Sequence, residues 1–138
     1  MKHPPRFRSA ANRGFTLVEI MIVVAIIALL CALAVPSLVR ARKRAQGVAV
    51  RSDLRLIDDA MDQYGTEYVK LPNTLIPVLA WRAYIKPGTR LYTSGTSVLG
   101  DVYGNQTMGT LPPVPSTDWD MLIDACDTSF WAPYVRSP

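Results

Sequence analysis

Phe15-Thr16-Leu17-Val18-Glu19-Ile20-Met21-Ile22-Val23-Val24-Ala25, continued by Ile26-Ile27-Ala28-Leu29-Leu30-Cys31-Ala32-Leu33-Ala34-Val35, is a run of 21 residues with only two polar side chains, Thr16 and Glu19. As a helix rising about 1.5 Å per residue it spans the roughly 30 Å hydrocarbon core of a bilayer. Its Ile and Val content would also suit a buried strand. Length decides against that, because buried strands rarely exceed about 8 residues. The run therefore predicts a transmembrane helix over residues 15–36, with Pro36 at its end.

The flanks give this helix a context. Lys2, Arg6, Arg8 and Arg13 precede it with no acid among them, while residues 15–138 hold 11 bases and 11 acids. The net charge of +4 is thus carried entirely by the first fourteen residues. A basic surplus confined to such a segment does not describe a nucleic-acid-binding surface, so a nucleic-acid partner is not expected. A cleaved secretory signal is also disfavoured. The apolar run is too long, and Pro36-Ser37-Leu38-Val39-Arg40 follows it in place of a small-residue cleavage site. The bases before the run suit a cytoplasmic N-terminus, although Arg40, Arg42, Lys43 and Arg44 weaken the asymmetry.

Glu19 is the costly residue. A carboxylate near the start of an apolar membrane helix costs about 2–4 kcal/mol on insertion scales. Two readings remain open at this point. Its head group lies in the lipid interface, or it pairs with a cation. A cut between Gly14 and Phe15 would create such a cation, an α-amine four residues before Glu19.

Arg13-Gly14-Phe15-Thr16-Leu17-Val18-Glu19, then the apolar stretch, then Pro36, resembles the N-terminus of type IV prepilins and type II secretion pseudopilins. The resemblance is strong over roughly residues 8–50 and loose beyond. It implies a basic leader, residues 1–14, cut after Gly14 by a prepilin peptidase that also methylates the amine of Phe15. It further implies that Glu19 neutralises a neighbouring subunit's amine during assembly, and that Pro36 kinks the helix. Chemistry agrees on two counts. Glycine leaves the scissile backbone unhindered, and proline removes an N–H donor and clashes with the preceding turn.

Beyond Pro36 the pattern turns one-sided. Val50, Leu54, Ile57, Met61, Tyr64 and Tyr68 recur at helical spacing, with Arg51, Arg55, Asp58, Asp59 and Asp62 opposite. This predicts an amphipathic stem helix over residues 37–65, stopped at Gly65. With the membrane segment it would form one helix roughly 75 Å long. The run Arg40–Arg55 holds six bases against Asp53, whereas residues 101–138 hold five Asp against Arg136. Complementary charge between copies would use both.

Residues 66–138 form a small periplasmic head. The pattern predicts a helix over Leu75–Tyr84 capped by Asn73, and short strands at Arg90–Tyr92 and Ser97–Leu99. Leu111–Pro115 reads as extended, and a last helix through Met121–Ala125 starts from Ser116 or Thr117. Phe130, Trp131 and Tyr134 read as core. Gly100-Asp101-Val102-Tyr103-Gly104-Asn105 is similar to a turn of major-pseudopilin heads, with Val102 departing from the Pro of that pattern. The fold class is α+β: a long kinked N-terminal helix with a head of short helices and a few short strands.

The resemblance bears on cofactors too, since some pseudopilin heads bind calcium through a C-terminal acidic loop. Asp118, Asp120, Asp124 and Asp127 are the candidate oxygens here, but their spacing runs along a helix, so no metal site and no cofactor are assigned. Cys31 lies in the apolar run and Cys126 in the head, which makes an intrachain disulfide unexpected. The single His, His3, lies in the leader, leaving no imidazole for a triad or metal site, and no phosphate-binding glycine loop is present. No enzymatic activity is expected.

The sequence therefore predicts an inner-membrane, single-pass precursor with a cytoplasmic leader and periplasmic head. It would be processed and assembled with copies of itself, on an inner-membrane assembly platform, into a helical type II secretion pseudopilus. A type IV pilus subunit for adhesion, motility or DNA uptake is the alternative in the same class. A membrane-anchored periplasmic binding domain that never polymerises is the alternative outside it.

Overall fold

The computed structural model describes residues 14–138. The leader, apart from Gly14, and His3 lie outside the described residues. The element order is α1 (Leu17–Glu67), β1 (Leu75–Ile76), α2 (Val78–Arg82), α3 (Arg90–Ser94), β2 (Gln106–Thr107), α4 (Ser116–Leu122) and α5 (Thr128–Trp131). The long apolar helix with short helices and a two-stranded sheet is an α+β arrangement of the expected kind. Two compact units divide the chain, one ending at Pro36 and the other running Ser37–Pro138.

In the first unit every side chain of α1 is exposed, because the run is apolar all round and has no protein against it. It is the one helix among the described residues that is long and apolar enough to cross a membrane. Helix α1 is assigned through Pro36 rather than stopping there.

In the second unit, α1 buries one stripe. Val50, Leu54 and Ile57 are fully covered, with Met61 and Ala60 beside them. They join Ile76, Trp81, Leu91, Val114, Leu122 and Trp131 in a single core. Each large side chain so buried contributes about 1.5–3 kcal/mol relative to exposure. Trp131 and Tyr134 are buried and Phe130 packs against them, as the sequence predicted. Trp131 stacks on Trp119 with centroids 5.6 Å apart. Leu111–Pro115 is extended, and Val114 is clamped by the chain end, donating to Val135 O and accepting from Ser137 N at 2.8 Å each.

Several local expectations are corrected. Helix α1 does not stop at Gly65. It continues to Glu67, and the left-handed residue that ends it is Val69, with φ 47°. Gly65 instead leaves room for Met108: a Cβ there would come within 2.0 Å of Met108 Cε, and that flexible side chain would have to move. Asn73 does not cap a helix over Leu75–Tyr84. Leu75–Ile76 pair antiparallel with Gln106–Thr107, and helix α2 begins only after Pro77. Pro77 offers no side-chain cap, and the Asn105 side chain supplies one by accepting from Val78 N–H at 3.1 Å. Arg90–Tyr92 is helical, not a strand, because Thr89 Oγ1 accepts from Tyr92 N–H and Gly95 closes the turn in the left-handed region. Ser97–Leu99 is a turn, held by Ser97 N–H donating to Asp101 O, with an isolated bridge between Thr96 and Val102 outside it. The last predicted helix ends early, at Leu122 rather than Ala125, and a separate short helix follows beyond its predicted span. Helix α4 covers Ser116–Leu122 after Pro115, with no side-chain cap from Ser116 or Thr117, and α5 starts at Thr128 under an Asp127 cap.

Candidate functional site

The segment Gly14–Glu19 places a backbone bond beside a helix start. Gly14, Phe15 and Thr16 are non-helical, and α1 begins at Leu17. Phe15 is 76% exposed, and a Cβ at Gly14 would meet nothing within 4 Å. The Gly14–Phe15 peptide is therefore non-helical and exposed.

Thr16 is the cap of α1. Its Oγ1 accepts from Glu19 N–H at 3.2 Å, and its carbonyl accepts from Ile20 N–H at 3.3 Å. This role is missing from the sequence reading, although Thr16-Leu17-Val18-Glu19 has the Thr-x-x-Glu spacing of a capping box. Glu19 lies in the first turn, where the helix dipole favours a carboxylate. Because α1 starts at Leu17, Phe15 precedes the cap. The i to i+4 relation between Phe15 and Glu19 is thus not formed in the uncut chain. Pro36 lies inside α1.

The head acids do not converge. Among the described residues no group of three or more His, Cys, Asp and Glu side chains is arranged to hold a metal. Asp120 takes Arg136 at 2.8 Å, and this guanidinium holds its carboxyl below the usual range. Asp124 takes Lys43 at 3.0 Å. Asp127 accepts from Ser129 Oγ and caps Phe130, and these bonds lower its carboxyl. Asp118 is fully buried, and burial pushes its carboxyl up. Cys31 is an exposed free thiol; Cys126 is a buried one, its thiol raised by burial.

A buried polar group that sequence reasoning missed ties the stem to the head. Asp53 accepts from Arg90 Nη2 at 2.5 Å and from the Tyr103 hydroxyl at 3.1 Å. Gly104 O accepts from Trp81 Nε1 at 3.2 Å. The turn Tyr103-Gly104-Asn105 thus contacts α1, the α2 tryptophan and the α2 start together. Val102, where the resembled turn has Pro, is 63% exposed and makes none of these contacts.

The site thus combines an exposed Gly–Phe bond, a capped apolar helix with an acid in its first turn, and a one-sided stem bearing a small head. A model of the prokaryotic N-terminal methylation motif matches residues 9–35. The chain is similar to "Type II secretion system core protein G" of Klebsiella michiganensis, 33% identical over 87 residues, which are 62% of this chain and 61% of that protein. The protein of the same name in Escherichia coli K12 is 39% identical over 63 residues, 46% of this chain and 43% of that one. "Type IV major pilin protein PilA" of Myxococcus xanthus is 39% identical over 56 residues, 41% of this chain and 26% of that one. The chain thus spans about three fifths or less of the length of these curated relatives. No solved structure matches.

Proposed function

We propose that the chain is the precursor of a structural filament subunit, cut between Gly14 and Phe15, methylated at Phe15, and assembled into a type II secretion pseudopilus. The observation that carries this is the Arg13–Glu19 segment, with its scissile bond open and its acid in the first turn of an otherwise apolar helix. Prepilin peptidase is the processing partner and an inner-membrane platform the assembly partner. The apolar helix anchors the chain in the inner membrane with the head periplasmic. Assembly moves α1 from lipid into a bundle of such helices, where its exposed side chains gain protein neighbours. There the Glu19 carboxylate meets a Phe15 amine, which offsets the cost of burying either charge alone. No catalytic role and no metal site are assigned to the subunit.

Mass spectrometry of the membrane-extracted protein tests this. An N-methylated Phe15 terminus is expected, and an intact Met1 would refute the reading. The variant Glu19→Ala is expected to be processed normally yet form no filaments; normal filaments would remove Glu19 from assembly. The type IV pilus reading is favoured by the similarity to the Myxococcus xanthus pilin. Deletion separates the two, since a pseudopilin is needed for protein export and a pilin for surface filaments.

A further inference from the structure

Between the apolar run and the part of α1 that the head covers lies a short collar of bases. Every residue from 37 to 42 is exposed, and Gly47 is the first buried residue of the helix. Arg40, Arg42, Lys43 and Arg44 fall in this stretch, and no acid occurs in the chain between Glu19 and Asp53. Two of the four bases are answered by the head. Lys43 pairs with Asp124 at 3.0 Å, and Arg44 lies close enough to Asp127 to help lower that carboxyl. Arg40 and Arg42 are exposed and, among the described residues, join no ion pair. At about 100° per residue they leave the helix about 160° apart, on nearly opposite sides. A single protein surface cannot take both. A ligand that surrounds the helix can.

Height along the helix identifies that ligand. About 20 residues fill the roughly 30 Å hydrocarbon core, which takes α1 from Leu17 to Pro36. Measured along the helix, Arg40 and Arg42 follow about 6 and 9 Å further on. The headgroup layer beyond the core is about 5–7 Å thick. Helical side chains lean toward the N-terminus, here back toward the lipid, and the long arginine stems reach into that layer. A guanidinium can take two phosphate oxygens at once through parallel N–H donors. We propose that Arg40 and Arg42 bind the phosphates of anionic phospholipids on the head side of the membrane, one lipid on each side of the helix. Lys43 and Arg44 contribute less, because Asp124 and Asp127 already offset their charge. This goes beyond the filament reading above and rests only on its membrane anchor.

Native mass spectrometry of the full-length chain, extracted from membranes into dodecyl maltoside, tests the proposal, with an equimolar mixture of phosphatidylglycerol and phosphatidylcholine as the probe. The chain is expected to retain phosphatidylglycerol over phosphatidylcholine by about tenfold. Arg40→Gln and Arg42→Gln should each lower that preference by about threefold, and together bring it to about one. Arg55→Gln with Lys70→Gln removes the same charge from exposed positions further along the chain, and should leave the preference unchanged. Inorganic phosphate or a short DNA duplex, at the concentration of the lipid, should not displace it. No preference in the unaltered chain, a preference that survives loss of both Arg40 and Arg42, an equal fall in the Arg55 and Lys70 control, or displacement by phosphate or DNA would each overturn the proposal. So would a dimer that forms on delipidation and is lost with Arg40 and Arg42, since it would assign these bases to a second copy. All of these outcomes leave the membrane anchor standing. A chain recovered in the soluble fraction, without detergent, would overturn the anchor and this inference with it.

Discussion

Val69 holds a backbone state that a β-branched residue rarely adopts. Its φ of 47° is left-handed, and the two bonds around it close the stem helix: Tyr68 N–H to Tyr64 O and Lys70 N–H to Gly65 O, both at 3.0 Å. The second is the six-to-one bond of a Schellman end, which normally places glycine where Val69 stands. The left-handed state costs a residue with a Cβ about 1–2 kcal/mol, and Val69 is 85% exposed, so its side chain returns little packing. Val69→Gly relieves that strain and gives back part of the gain as unfolded-chain entropy. A net stabilisation of about 0.5–1 kcal/mol is expected, read as a rise of a few degrees in Tm of the detergent-solubilised chain. A lowered Tm would mean that the valine makes contacts worth more than its strain.

At the scale of elements, the seam between α1 and the C-terminal segment closes on Gly47. A Cβ there would lie 2.6 Å from Cys126 Sγ and 3.1 Å from Phe130 Cε1. Arg51 one turn on donates to Phe130 O at 3.0 Å and lies 5.2 Å from that ring's centre. Gly47→Ala would gain up to about 1 kcal/mol of helix propensity but overpack a seam whose thiol is buried, at a cost of about 1–3 kcal/mol. A net loss is expected by thermal unfolding, and Cys126→Ala added to it should recover part of that loss; additive losses would show that the thiol is not the obstacle. Neither partner signals the seam in the sequence, because Gly47 and Cys126 are far apart in the chain. What was legible there is periodic or local. The apolar run, the Val50–Met61 stripe and the aromatic C-terminus each carry their meaning within a few residues. The segment that the methylation-motif model matches was legible for the same reason, its residues being contiguous. The head was misread where short-range propensity lost to neighbours. Arg90–Tyr92 looks extended by composition, yet Thr89 and Gly95 bracket a helix. The α2 start depends on Asn105 and the stem acid Asp53 on Arg90 and Tyr103, pairings that no local pattern announces.

Across the whole molecule, charge is organised in two ways. Pairs such as Lys43–Asp124 join head to stem, while Arg40 and Asp62 join no ion pair among the described residues. A third arrangement works against stability. Asp118 has no exposed surface, and neither carboxylate oxygen makes a well-formed hydrogen bond. Burial is the main force raising its carboxyl; the Ser97 hydroxyl opposes this and Asp101 adds to it, with Arg90 and Asp53 exerting smaller, opposite effects. A carboxyl whose folded pKa lies above its unfolded value binds its proton more tightly in the folded chain. Stability is therefore greatest with the proton on, and falls as pH rises from the unfolded value of 3.8 through the folded one. Asp118→Asn keeps the shape and removes the charge. It should match the parent near pH 3 and exceed it at pH 7–8 by about 1–2 kcal/mol, the cost of an unpartnered buried polar group. The measurement is the difference in Tm between the two full chains in detergent across pH 3–8, followed through the near-UV signal of Trp81, Trp119 and Trp131, all in the head. Asp120 and Asp127, whose carboxyls are lowered, lose their favourable contacts at acid pH in both proteins and cancel in the difference. The gap should open with rising pH and then level off. A gap that is flat, or that closes upward, would mean the Asp118 carboxylate is held as an anion by Arg90 and Ser97, and that its burial is compensated after all.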